Sequence, residues 1–205
     1  MNFGSVITAM ITPFKDDGKV NYDKAQELAA FLMENGSDSI VVTGTTGEAS
    51  TLSLQEKAGL YKAVKEAVGN NGFVIANTGD NETATSVFLT KEAEKIRVDG
   101  VLAVVPYYNK PPQEGMFRHF KAIAESTDLP VMLYNVPSRT SSNLLPEKHQ
   151  FDQRSKRLYG SSFRVEGKAS GIYCLFWGRL YHSSHAFFRL LWRSQCSIPP
   201  GGKGN

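Results

Sequence analysis

The sequence predicts an α/β fold built on a parallel sheet, and three observations predict it. Five short apolar runs recur within the first 134 residues, four amphipathic segments separate them, and the alternation repeats about every 30 residues, the length of one strand–helix unit. The apolar runs show no polar alternation, as expected of parallel strands covered on both faces. This rhythm suits a doubly wound sheet or a closed (β/α)8 barrel, and periodicity alone does not choose between them.

The elements follow in order. SVITAMI at 5–11 reads as a buried strand. In 22–34, Ala25, Leu28, Ala29, Leu32 and Met33 share one face of a helix, with Asn21 placed to cap it and Gly36 to stop it. Strands are then expected at 39–42, 73–76, 101–105 and 131–134, and helices at 53–68, 82–96 and 114–125. The pattern stops at Glu147; the following 148–205 has no sustained helical or strand period and ends in coil-like PPGGKGN.

Charge breaks at the same point. Residues 1–147 carry 13 Lys and Arg against 18 Asp and Glu, whereas 148–205 carry 10 against 2. Both Trp, both Cys and three of the four His lie after 147. A basic tail can bind nucleic acid, but its cations are scattered and share no helix face, so no nucleic-acid partner is expected. No apolar run approaches the roughly 18 residues of a membrane span, and MNFGSVITAMITPF lacks the basic start of a signal peptide. A soluble cytoplasmic protein without membrane contact is expected. Two cysteines are too few for a disulfide framework.

In either candidate fold, chemistry sits at the C-terminal ends of the strands. Gly44-Thr45-Thr46-Gly47-Glu48 follows the second strand. Its glycines let backbone N–H groups approach an anion such as a carboxylate; the alternative is a tight turn whose threonines cap the next helix. It is no phosphate loop, because no Lys follows in the required place, and no GxGxxG or Cys/His cluster calls for a dinucleotide or a metal. Tyr107 and Tyr108 follow the fourth strand and Tyr134 ends the fifth. A threonine between two phenols can relay protons; single tyrosines at a rim are more often packing, and three at consecutive strand ends shift that balance. Arg139 can grip a carboxylate in bidentate fashion or form a surface ion pair. His119 reads as a solvated helix residue. No cofactor is expected.

Taken together, TPF…G, GTTGE, PYYNKP…QEG…HF and LYNVPSRT resemble the pyruvate-dependent class I aldolase/lyase family, and YNVPSRT resembles its dihydrodipicolinate synthase branch. The resemblance runs from about Phe3 to Glu147. It implies a (β/α)8 TIM barrel, here truncated to about its first five βα units over 1–147, and a homotetramer. The implied reaction is a lyase reaction of lysine and diaminopimelate biosynthesis. In it a lysine Schiff base with pyruvate attacks L-aspartate 4-semialdehyde. The resemblance assigns proton relay to Thr45, Tyr108 and Tyr134, with Tyr108 normally supplied across a subunit interface. It assigns the pyruvate carboxylate to Thr46 and its N–H beside Gly47, and the semialdehyde carboxylate to Arg139. Tyr107 falls near the inhibitor site of lysine-sensitive members; Leu54 and Lys57 stand where those members tend to have His, so lysine feedback is not expected. Another pyruvate aldolase or lyase of the family is the alternative activity, and a non-functional fragment is the third reading.

The family's Schiff-base lysine lies on the sixth strand, about 28 residues past the strand-five Tyr, where this chain has Ser162. Gly167-Lys168-Ala169-Ser170-Gly171 is similar to the lysine motif but displaced by about six residues, with no strand expected before it, so Lys168 is not taken as the nucleophile. Back-translating Gly171–Asn205 with freely chosen synonymous codons, then reading one nucleotide later, yields SGDDS and SVASH, similar to the family's seventh and eighth strands. The tail 148–205 is therefore expected to be non-native, frameshifted or disordered, the match being clearest over 171–205. Five strands alone leave two open edges, which predicts a poorly soluble, inactive product.

Overall fold

The computed structural model describes residues 3–135, together with the backbone of two further strands, Ile172–Phe176 and Leu190–Leu191. Five strands, β1 (Val6–Ala9), β2 (Ser39–Val42), β3 (Phe73–Asn77), β4 (Gly100–Val104) and β5 (Val131–Asn135), alternate with four helices. These are α1 (Tyr22–Glu34), α2 (Leu54–Val68), α3 (Thr83–Ile96) and α4 (Gln113–Glu125). Boundaries fall within one residue of expectation, except that β1 is shorter than the 5–11 run.

Local chemistry explains the helix ends. The Asn21 side chain accepts the Lys24 N–H at 3.1 Å and starts α1, while Asn35 and left-handed Gly36 (φ 93°) end it. Ser53 and Glu56 form a reciprocal capping box at α2: Glu56 N–H donates to the Ser53 hydroxyl at 3.2 Å, and Ser53 N–H to the Glu56 carboxylate at 2.8 Å.

The strands pair in parallel in the order β5-β4-β3-β2-β1, each beside its predecessor in sequence. A doubly wound sheet reverses its order at a switch point. No reversal occurs here, so the geometry is that of an opening barrel. Side chains alternate between two cores. Ile40, Val42, Val74, Ala76, Val101, Ala103, Val131 and Leu133 face the helices and join Leu60, Val64 and Leu89. Val41, Ile75, Leu102 and Met132 face the other way and join Phe3 and Ile7, with Tyr134 packed against them. Burying each Ile or Leu contributes roughly 1.5–3 kcal/mol. Exposed pairs such as Lys62–Glu66 contribute at most about 1 kcal/mol. The two apolar layers therefore set stability.

The sheet extends further than periodicity foresaw. Ile172–Phe176 (β6) pairs in parallel with β5, from Val131↔Ile172 to Asn135↔Phe176, and Leu190–Leu191 (β7) pairs antiparallel with β1. The region read as having no strand period thus contributes one strand to each edge of the five-strand sheet. IYCLF has the apolar, aromatic content of a strand but too few residues for its period to show against the surrounding tail. Among the described residues, no helix is long and apolar enough to cross a membrane.

Candidate active site

The C-terminal ends of the parallel strands share one rim, and the expected site residues are distributed along it. After β2, Thr43 enters the left-handed region (φ 54°) and turns the chain into Gly44–Glu48. Gly47 N–H donates to Gly44 O at 3.0 Å and Glu48 N–H to Thr45 O at 3.1 Å, closing the turn. The Thr12 hydroxyl of the loop after β1 donates to Gly47 O at 2.6 Å and ties the turn to its neighbour. A Cβ on Gly47 would lie 3.0 Å from Met10 O and 3.3 Å from Thr43 Cα, so glycine lets the turn fold this closely onto the strand end without displacing that backbone.

Thr45 and Thr46 sit exposed at the tip. Neither caps the next helix: the 3-10 turn Ala49–Thr51 begins at Glu48 without a side-chain bond, and Ser53 caps α2. Among the described residues, the N–H groups of Thr45 and Thr46 have no hydrogen-bond partner. Exposed hydroxyls and free N–H groups on a glycine-bounded turn are the donors a carboxylate requires.

Tyr134 is half-buried on the inner face of β5, and burial raises its phenol pKa, so the hydroxyl stays protonated at neutral pH. Tyr108, left-handed at φ 69°, is 91% exposed and points its ring away from the body of the chain. Thr45, Tyr134 and Tyr108 share the rim, and no hydrogen bond joins them among the described residues. Tyr107 is half-buried, its pKa raised by burial and then by the Asp80 carboxylate. Arg139 and Lys168 lie outside the described residues, as does the remainder of LYNVPSRT past Asn135.

His119 is corrected. It is 5% exposed rather than solvated, with Nδ1 at 2.9 Å from the Thr83 hydroxyl and its ring edge-on to Phe120. Burial lowers its pKa, against an opposing pull from Asp80. The sequence reading also missed what surrounds it. Lys57 is 4% exposed, its Nζ 3.9 Å from Asp80 Oδ2, and burial lowers its pKa while Asp80 raises it. The signal was present: Lys57, Leu60, Tyr61 and Val64 recur at the spacing of one helical stripe, the buried face of α2.

Comparison with known proteins agrees with this geometry. A family model described as the dihydrodipicolinate synthetase family matches residues 2–156. The 4-hydroxy-tetrahydrodipicolinate synthase of Desulforamulus reducens is 60% identical over 146 residues, covering 71% of this chain and 49% of that relative. Among solved structures, dihydrodipicolinate synthase DapA-2 of Bacillus anthracis superposes with a TM-score of 0.68 at 52% identity, over 70% of this chain and 49% of its own. The chloride-inhibited enzyme of Acinetobacter baumannii, solved with pyruvate, gives 0.67 at 44% identity over 70% and 49%. The chain spans about half the length of the relatives it matches. With the family model matching more than half of its length, the chain belongs to the dihydrodipicolinate synthetase family.

Proposed function

We propose that residues 3–135 carry the substrate-receiving half of a 4-hydroxy-tetrahydrodipicolinate synthase. This lyase condenses pyruvate with L-aspartate 4-semialdehyde through a lysine Schiff base, and works as a homotetramer in the cytoplasm. The observation that carries the reading is the turn after β2, whose exposed Thr45 and Thr46 offer free N–H and hydroxyl donors beside Gly47. Thr46 receives the pyruvate carboxylate there. Thr45 and the protonated phenol of Tyr134 move protons, with Tyr108 as third member from a neighbouring subunit. Its exposure supports a place in an interface. Arg139 takes the semialdehyde carboxylate.

The nucleophile is the missing part. A lysine serving this rim must lie on its strand or just past it, because the strands are parallel and the site lies at their C-terminal ends. Lys168 instead precedes β6 in sequence. Residues 148–205 are proposed to be a frameshifted, non-native continuation, and the 205-residue chain to form no Schiff base. Incubation with pyruvate and borohydride, read by intact mass, is expected to give no adduct on this chain. A chain continued in the corrected frame is expected to gain one pyruvate and to prefer L-aspartate 4-semialdehyde over other aldehydes. An adduct on Lys168 of the present chain overturns the assignment of the tail, and preference for another aldehyde selects a different aldolase or lyase of the family.

A further inference from the structure

Beneath the carboxylate-receiving turn lies a buried polar network that no step of the proposed chemistry uses. Its centre is Tyr61, the largest fully buried side chain among the described residues, reaching from α2 to the ends of β2 and β3. The Tyr61 hydroxyl donates to Asn77 O at 2.6 Å. The Asn77 side-chain amide donates to Thr43 O at 2.8 Å. The Thr43 hydroxyl lies 3.3 Å from both the Tyr61 oxygen and Asn77 O, sharing its one proton between two long bonds.

Thr43 is therefore held at both its carbonyl and its hydroxyl, and it is the residue that most needs holding. It is β-branched, fully buried and left-handed at φ 54°, a combination disfavoured by collision of Cβ and its branches with the backbone. Strained backbone persists only where the surroundings over-determine it. The turn responds directly to Thr43: Gly44 follows it, and Gly47 packs against its Cα.

We propose that Tyr61, acting through Asn77 and Thr43, is a positioning residue that fixes the left-handed step at Thr43 and so aims the Thr45–Thr46 donors. This role rests on reading the turn as the carboxylate receptor. Tyr61 touches no substrate in this arrangement. The Tyr61 ring serves packing and its hydroxyl serves the turn, so removing the hydroxyl alone separates the two roles.

A double-mutant cycle on the 205-residue chain tests this, with amide hydrogen exchange of 44–52 as the readout. Tyr61→Phe and Thr43→Val are each expected to lower protection of the turn roughly tenfold, the loss of about one buried hydrogen bond, while Thr43→Ser stays near wild type. Glycine adopts φ 54° without strain, so in a Thr43→Gly background Tyr61→Phe is expected to change protection less than about twofold. Equal losses in both backgrounds, or none in either, overturn the positioning role, because packing alone is indifferent to residue 43. A second arm adds pyruvate, which is expected to raise protection of the turn in wild type and in the Thr43→Gly/Tyr61→Phe double variant, and not in Tyr61→Phe. If wild type gains no protection, the turn does not hold pyruvate without the Schiff-base lysine; the cycle without pyruvate still decides whether Tyr61 positions it.

Discussion

The two rims of this sheet are built on opposite rules. At the N-terminal ends of the strands, carboxylates accept backbone N–H groups. Asp38 takes Ser5 and Val6 at 2.6 and 2.8 Å, Asp99 takes Val74 at 2.8 Å and pairs with Lys65 at 2.7 Å, and Glu94 takes Asp128 at 2.8 Å. At the C-terminal ends, Thr43, Glu48, Tyr108 and Lys110 are left-handed, against Arg97 alone among the described non-glycine residues on the other side, and the Thr45 and Thr46 N–H groups have no partner among the described residues. Carboxylates committed to backbone N–H groups are not available to a ligand. The other rim spends conformational strain on keeping groups available.

The largest effect expected of this contrast lies at the paired rim. Asp99→Ala leaves the Val74 N–H and the Lys65 ammonium without their acceptor, in a site where both side chains are about one-fifth exposed. A loss of about 2 kcal/mol in urea unfolding is expected, with pyruvate protection of the turn unchanged once the fold is restored by lower denaturant. Loss of pyruvate response at full folding would break the separation of the rims.

Gly47→Ala attacks the open rim. Its Cβ would press on Met10 O and Thr43 Cα, which belong to backbone and cannot rotate aside. A stability cost of about 1–2 kcal/mol is expected, with a disproportionate loss of pyruvate response because the turn itself must move. A full stability loss with intact pyruvate response would show that turn geometry does not matter to the ligand.

The contrast also marks what was legible beforehand. Strands and helices were, since burying the faces of β2–β5 demands unbroken apolar runs and α1 announces its stripe through Ala25, Leu28, Ala29 and Leu32. Thr45, Thr46 and Tyr134 were legible as strand-end residues. His119 was not, because one polar residue on a short amphipathic helix carries no sign of which neighbour will cover it; Thr83 of α3 reaches it only once α3 and α4 pack. Lys57 was legible only as standing where lysine-sensitive members tend to have His; its burial beside Asp80 was not. β6 was hidden by its length and by an acceptor edge, β5, that only the fold supplies.

His119 offers a smaller, pH-dependent test of the ground between the rims. Its folded-state pKa lies below the ordinary 6.5 because burial disfavours the cation, Asp80 opposing. The unfolded chain therefore takes up the proton first. Stability from this group is fully present above pH 6.5 and declines as pH falls below it, until the folded state is protonated too. His119→Asn keeps a partner for the Thr83 hydroxyl and does not titrate. Its Tm is expected to fall less steeply than wild type below pH 6.5, and parallel curves would remove His119 as a source of acid sensitivity.

The smallest single effect on stability is expected of Tyr108→Gly, at the most exposed point of the open rim. Tyr108 is 91% exposed at φ 69°, so its ring contributes little to the fold while its backbone bears strain. Tyr108→Gly removes that strain and adds flexibility to the unfolded chain, two terms of opposite sign that leave stability within about 1 kcal/mol of wild type. Tyr108→Val keeps a Cβ and adds a branch where left-handed backbone tolerates it least, and is expected to cost about 1–2 kcal/mol. Both variants remove the phenol, so both are expected to abolish condensation in a chain continued through the Schiff-base lysine, despite their different stabilities. Activity that tracked stability across the pair would make Tyr108 a structural residue; activity lost equally in both would show that the phenol, and not the backbone strain, is what this position supplies.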